Sequence, residues 1–94
     1  MEWNFEWDEK KARENLKNHK VSFDEAITVF NDSFSVTISD PDHAENAQRL
    51  IDIGTSARGR VLVVVYTENK GNVRIISCRK ATPRERRVYE EDND

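Results

Sequence analysis

Asn72 to Tyr89, NVRIISCRKATPRERRVY, joins a strand to a helix and concentrates positive charge. Residues alternate from Asn72 to Ala81: Val73, Ile75, Ser77 and Arg79 share one side, and Arg74, Ile76, Cys78 and Lys80 the other, the period-two pattern of a strand. Neither side is wholly polar, so both faces are expected to be partly covered. Thr82-Pro83-Arg84-Glu85 reads as a helix start. Thr82 is the N-cap, Pro83 sits where no N–H is needed, and Glu85 is the capping-box partner of a helix running to about Glu91. Arg79 and Lys80 then stand at the strand's exit, with Arg84, Glu85, Arg86, Arg87 and Tyr89 a few residues away, a cluster able to hold a phosphodiester.

Upstream, Ala57-Arg58-Gly59 and Asn69-Lys70-Gly71 are turn signals flanking strands over Gln48 to Ser56 and Arg60 to Glu68. Phe34 to Ser39 alternates as a further strand, followed by a polar loop to Ala47. Asp40, Asp42 and His43 resemble a set of hard-metal ligands, but no further ligand has a defined spacing, and a turn is the better reading.

At the N-terminus, Trp3, Phe5 and Trp7 alternate with polar residues as a short strand with one aromatic side. Asp8 caps a helix from Glu9 to about Asn18, where Ala12, Asn15, Leu16 and His19 form a thin, half-polar stripe. His19 ends that inward face, either as a structural histidine or as a catalytic or RNA-contacting one. Ser22 to Glu25 forms another capping box, opening a helix through Phe23, Ile27 and Phe30. A helix-turn-helix reading of this pair fails on charge. The would-be recognition helix FDEAITVF carries Asp24 and Glu25 and no Lys or Arg, and would repel the groove it should enter.

The elements add up to an α+β domain: a short N-terminal strand, two helices, an antiparallel sheet of about four strands and a C-terminal helix. With 94 residues there is one domain, 1–94, able to bury roughly 60 to 70% of its unfolded surface. Its 36% hydrophobic and 35% charged residues are arranged in periodic runs, unlike those of a disordered chain. The longest apolar run, Val61 to Tyr66, is far short of a membrane span, and the acidic start has no signal-peptide character, so a cytoplasmic protein with no membrane partner is expected. The lone Cys78, set in an apolar strand, is read as packing; zinc held through cysteines is excluded by the count.

The net charge of −3 hides a segregation. Met1 to Ala57 has six Lys/Arg against twelve Asp/Glu, Arg58 to Arg87 nine against two, and Val88 to Asp94 four acids and no base, giving −6, +7 and −4. The central basic segment attracts phosphate, while the acidic remainder limits indiscriminate binding. No phosphate-cradling pattern surrounds Gly54, Gly59 or Gly71, which disfavours kinase and dehydrogenase readings.

The series FEWDEKKARENLKNHKVSFDEA, then VFND, IGTSARGRVLVVVYTE, RIISCRKAT and ERRVYE, resembles the BrnT family of type II toxin-antitoxin systems over nearly the whole chain. The resemblance implies a RelE-like fold and an endoribonuclease toxin held in check by a cognate BrnA-type antitoxin, as a homodimer or a toxin-antitoxin heterotetramer. The family's usual glycine after the histidine is Lys20 here, and its acidic pair before Arg49 is Ala47-Gln48. If the glycine position needs positive φ, lysine costs on the order of 1 kcal/mol there.

RNA cleavage of this kind, without metal or cofactor, uses the 2'-hydroxyl as nucleophile. The protein must supply a base for that proton, an acid for the leaving 5'-oxygen and cations for the charge developing on phosphorus. Arg79, with Arg60 and Lys80 nearby, is assigned to phosphate binding and transition-state charge, because a planar guanidinium clamps two phosphate oxygens. Arg74, Arg84 and Arg86 are further RNA-binding candidates. Glu85 or His19 is the candidate proton acceptor, and Tyr89, or His19 if it is not the base, the donor. Each has a structural alternative: Glu85 as a cap, Tyr89 as packing against the sheet, Lys80 as a solvated charge.

Overall fold

The structure, a computed structural model, describes residues 3–39 and 48–92. Asp40, Asp42, His43 and Ala47 lie outside these residues, as does the side chain of Gln48.

Strands β1 (Asn4–Glu6), β2 (Val36–Ser39), β3 (Gln48–Thr55), β4 (Val61–Asn69) and β5 (Asn72–Lys80) form one sheet in the order β1-β5-β4-β3-β2. The β2-β3-β4-β5 meander is antiparallel, as the turn signals require. Lys70 and Gly71, at φ 53° and 86°, make the tight β4–β5 turn. The N-terminal strand joins the sheet alongside β5 in parallel, so the sheet is mixed and five-stranded instead of antiparallel and four-stranded. Pairing between such distant segments leaves no local mark in the sequence.

Helix α1 (Glu9–His19) starts on Asp8, whose carboxylate accepts from the Lys10 N–H at 2.8 Å, and ends on Lys20 in the left-handed conformation, φ 61° and ψ 30°. The inward stripe is narrower than the spacing suggests, since Leu16 is half exposed and His19 exposed. Asn15 carries the contact instead. Pairing of β1 with β5 stops at Arg74, leaving the backbone of Cys78 on an edge, and there the Asn15 amide accepts from the Cys78 N–H at 3.1 Å and donates to its carbonyl at 2.8 Å. It also donates to the Val21 carbonyl at 2.8 Å. A side-chain amide thus extends the sheet ladder and ties α1 to β5.

Helix α2 (Phe23–Ala26) is a single turn that passes into a 3-10 segment, Ile27–Asn31. Its Phe23, Glu25 and Ala26 are buried, so it has no face to offer a groove. Val21, Phe23, Ala26 and Val29 pack on Leu62, Val64, Tyr66, Val73, Ile75 and Cys78 to form the core. Phe30 links Phe5 and Tyr66 by edge-on contacts with centroids 5.0 and 4.9 Å apart. Cys78 is fully buried, and burial, the largest cause, pushes its thiol up to about 12, as expected of a packing residue.

One irregularity changes the reading of β5. Val65 opposes Ser77 while Tyr66 opposes Ile75, so Ile76 is an extra, bulged residue. The bulge resets the alternation, so that Val73, Ile75 and Cys78 all join the core, and Arg79, paired with Val63, stands on the opposite face. That face meets helix α3 (Pro83–Asp92), whose start has the expected capping box: Glu85 N–H to Thr82 Oγ1 at 3.2 Å, and Thr82 N–H to Glu85 Oε1 at 2.9 Å.

Candidate active site

The carboxyl end of β5 gathers four segments. Ala81 N–H donates to the Val61 carbonyl at 3.0 Å, setting the start of β4 beside the exit of β5. The turn at Lys20 arrives next to them, its carbonyl accepting from Arg60 Nη2 at 3.2 Å. Helix α3 leaves from the same corner. Between them lies a cleft of about 300 Å³ lined by Gly59, Arg60, Val61, Lys80, Ala81 and Arg86. Arg60, Lys80 and Arg86 come from separate elements, and the fold brings them together. Among the described residues neither Lys80 nor Arg86 pairs with a carboxylate.

Arg79 stands beside this cleft with its fork already filled. Its Nη1 and Nη2 donate to Glu85 Oε1 and Oε2 at 2.7 and 2.8 Å, a two-pronged pair. The Arg79 guanidinium holds the Glu85 carboxyl down at about 2, outweighing the effect of partial burial. Glu85 also caps α3, so its structural and candidate catalytic roles coincide on one side chain.

Arg60 is held by Glu25, whose carboxylate accepts elsewhere than in the expected capping box. Ser22 Oγ accepts from the Glu25 N–H at 3.0 Å, but the carboxylate turns away and accepts from Arg60 Nε at 2.9 Å and from Arg60 Nη2. Ser56 Oγ donates to the same carboxylate at 2.7 Å. The hydrogen bond from Arg60 holds Glu25 below the usual carboxylate range despite the opposing effect of burial. Sequence reading gave Glu25 only a capping role; its long-range contacts left no spacing signal.

Tyr89 and Arg74 fall outside the cleft lining. The Tyr89 hydroxyl donates to Asp32 Oδ2 at 2.6 Å and accepts from Thr55 Oγ1 at 3.1 Å. Burial raises Asp32, but hydrogen bonds from the Thr55 N–H, Tyr89 and the Phe34 N–H outweigh it, and the carboxyl lies below its ordinary range. The hydrogen bond to Asp32 in turn raises Tyr89. Arg74, near the other end of β5, pairs with Glu6 at 2.7 Å. Arg84 is exposed on the first turn of α3 and does not line the cleft. His19 is exposed at the end of α1, next to the Lys20 carbonyl that Arg60 reaches. Among the described residues no three His, Cys, Asp or Glu side chains gather as metal ligands, and no helix is long and apolar enough to cross a membrane.

No curated protein matches the chain. A crystal structure of the Brucella abortus ribonuclease toxin, BrnT, is similar in fold: the two share 22% identity with a TM-score of 0.62, over 85% of this chain and 97% of that one. Residues 7–85 match the family described as the ribonuclease toxin, BrnT, of type II toxin-antitoxin systems. With most of its length inside that match, the chain belongs to the BrnT family of ribonuclease toxins.

Proposed function

We propose that the protein is a metal-independent endoribonuclease toxin that cleaves RNA by attack of the 2'-hydroxyl and is neutralised in the cytoplasm by a BrnA-type antitoxin. Family membership supports a ribonuclease and an antitoxin partner. The observation that carries the chemistry is the convergence of Arg60, Lys80 and Arg86 on one open cleft next to Arg79 and Glu85. Three cations at one concave spot suit a phosphodiester, whose charge grows as the 2'-oxygen adds to phosphorus.

The Arg79–Glu85 pair supplies the next step of this reading. A phosphodiester presents two non-bridging oxygens and a single negative charge, as a carboxylate does, and can replace Glu85 in the Arg79 fork. Glu85, released from the contact that holds it near 2, regains basicity and takes the 2'-hydroxyl proton. His19, exposed at the end of α1 and outside the cleft lining, precedes Lys20, whose carbonyl Arg60 reaches, and is assigned the proton donated to the leaving 5'-oxygen. Tyr89, whose hydroxyl is engaged with Asp32 and Thr55, is assigned to docking α3.

A second reading rests on the same pairs: Arg79 and Arg60 are both carboxylate-bound, which suits a non-catalytic RNA- or antitoxin-binding module. Incubating the pure protein with total RNA in a chelator separates the two. The enzyme leaves fragments with 2',3'-cyclic or 3'-phosphate ends; a binding module gives only a salt-sensitive mobility shift.

A further inference from the structure

Glu25 presents a puzzle of placement. It is an acid inside the corner where the cations gather, its side chain is only 4% exposed, and both of its oxygens are taken. Oε2 accepts from Ser56 Oγ and Arg60 Nε; Oε1 accepts from Arg60 Nη2 and lies 3.7 Å from Arg58 Nη1. Buried and with both oxygens engaged by protein donors, it is poorly placed to take a proton from substrate. Stability alone is a weak reason for the arrangement, because the desolvation of a buried ion pair roughly cancels its attraction.

The donor count of Arg60 suggests what the arrangement does. A guanidinium has five N–H groups. Nε is spent on Glu25, and Nη2 on Glu25 and the Lys20 carbonyl. The two N–H groups of Nη1 have no partner among the described residues, on a side chain that lines the cleft. Arg79 is gripped end-on, with both terminal nitrogens used by Glu85. Arg60 is gripped along one edge, which stops rotation yet leaves donors over. The hydroxyl that anchors Glu25 also accepts from the Arg58 and Arg60 N–H groups at 3.2 and 3.4 Å, coupling the grip to the shape of the β3–β4 turn.

We propose that Glu25 is a positioning residue: by gripping the Nε–Nη2 edge of Arg60 it aims the remaining Nη1 donors at an RNA phosphate in the cleft. This rests on the ribonuclease reading above. It assigns to Arg60, rather than to the occupied Arg79, the first contact with substrate, and makes Ser56 the anchor of the device.

The test exploits a difference in sign. Removing a negative charge beside three cations strengthens RNA binding if Glu25 acts only through its field, and weakens it if Glu25 aims Arg60. Binding of a fluorescent, non-cleavable 2'-O-methyl oligoribonucleotide is measured by anisotropy for the wild type, Glu25→Gln, Arg60→Ala and the double variant. The expected result is about a tenfold loss for Glu25→Gln, with the double variant no weaker than Arg60→Ala, since the two residues act as one unit. Unchanged or tighter binding by Glu25→Gln, or additive losses in the double variant, overturns the proposal while leaving the ribonuclease reading standing. A wild type that binds no RNA overturns both. If circular dichroism shows Glu25→Gln unfolded, Ser56→Ala takes its place: about a threefold loss is expected, and unchanged affinity overturns the proposal.

Discussion

Arg79 closes its guanidinium on Glu85 through two parallel hydrogen bonds of 2.7 and 2.8 Å, across the step from the last strand to the last helix. The same pair fastens α3 to the sheet and occupies the fork assigned to phosphate. Arg79→Ala is therefore expected to lower RNA cleavage by roughly 10²- to 10³-fold, the usual cost of removing a transition-state charge donor. The loss in stability is only about 1 kcal/mol, because the pair is partly exposed. Cleavage assays alongside urea denaturation check both figures; full activity of the variant removes Arg79 from the mechanism.

Glu85 also makes stability depend on pH in a defined window. Its folded-state value, about 2, lies below the ordinary 4.5, so its contribution is complete above about 4.5 and is lost as the pH falls toward 2. The thermal midpoint of the wild type should drop through that window more steeply than that of Glu85→Gln. Parallel curves for the two proteins would show that the pair does not hold α3.

Tyr89→Phe removes the hydroxyl shared by Asp32 and Thr55 but leaves the ring. A loss of about 1 to 2 kcal/mol is expected, from one charge-assisted hydrogen bond and an acceptor left partly unpaired. Cleavage per folded molecule should change less than threefold. A fall of a hundredfold or more at full folding would restore Tyr89 as the proton donor in place of His19.

Asn15→Ala should cost roughly 3 kcal/mol, because the buried N–H and C=O of Cys78 and the Val21 carbonyl lose their partner together. Hydrogen exchange at the Cys78 amide is the direct readout. Protection equal to the wild type would mean that another group caps that edge.

Gly54→Ala tests a close approach. A methyl group there would meet Ser35 Cβ and Val29 Cγ1, both at 2.9 Å, where the 3-10 segment and the lead into β2 lie against the sheet. Overpacking of this kind costs about 1 to 3 kcal/mol. The displacement also pulls Asp32 from the Thr55 N–H, 2.8 Å away, so the tyrosine contact should loosen with it. Equal denaturant midpoints for the two proteins would show that the segment gives way freely.

Local chemistry was legible in the sequence wherever it acts over a few residues. The Asp8 and Thr82 caps, the Lys70-Gly71 turn, the α3 boundaries and the meander all follow from propensity, capping and period, which depend on neighbours along the chain. The basic segment was legible too, with Arg60 and Lys80 expected near Arg79, but it was the fold that set Arg60, Lys80 and Arg86 around one cleft and left Arg74 and Arg84 outside its lining. Tertiary structure alone decided the rest. The parallel pairing of β1, the amide of Asn15 standing in for a strand, the Ile76 bulge that turns Arg79 toward α3, and the departure of Glu25 from its cap to Arg60 are all settled by long-range packing. Each joins groups far apart in sequence, where satisfying a buried polar group or an open edge outweighs the local preference, and no window of neighbouring residues records which partner will be present.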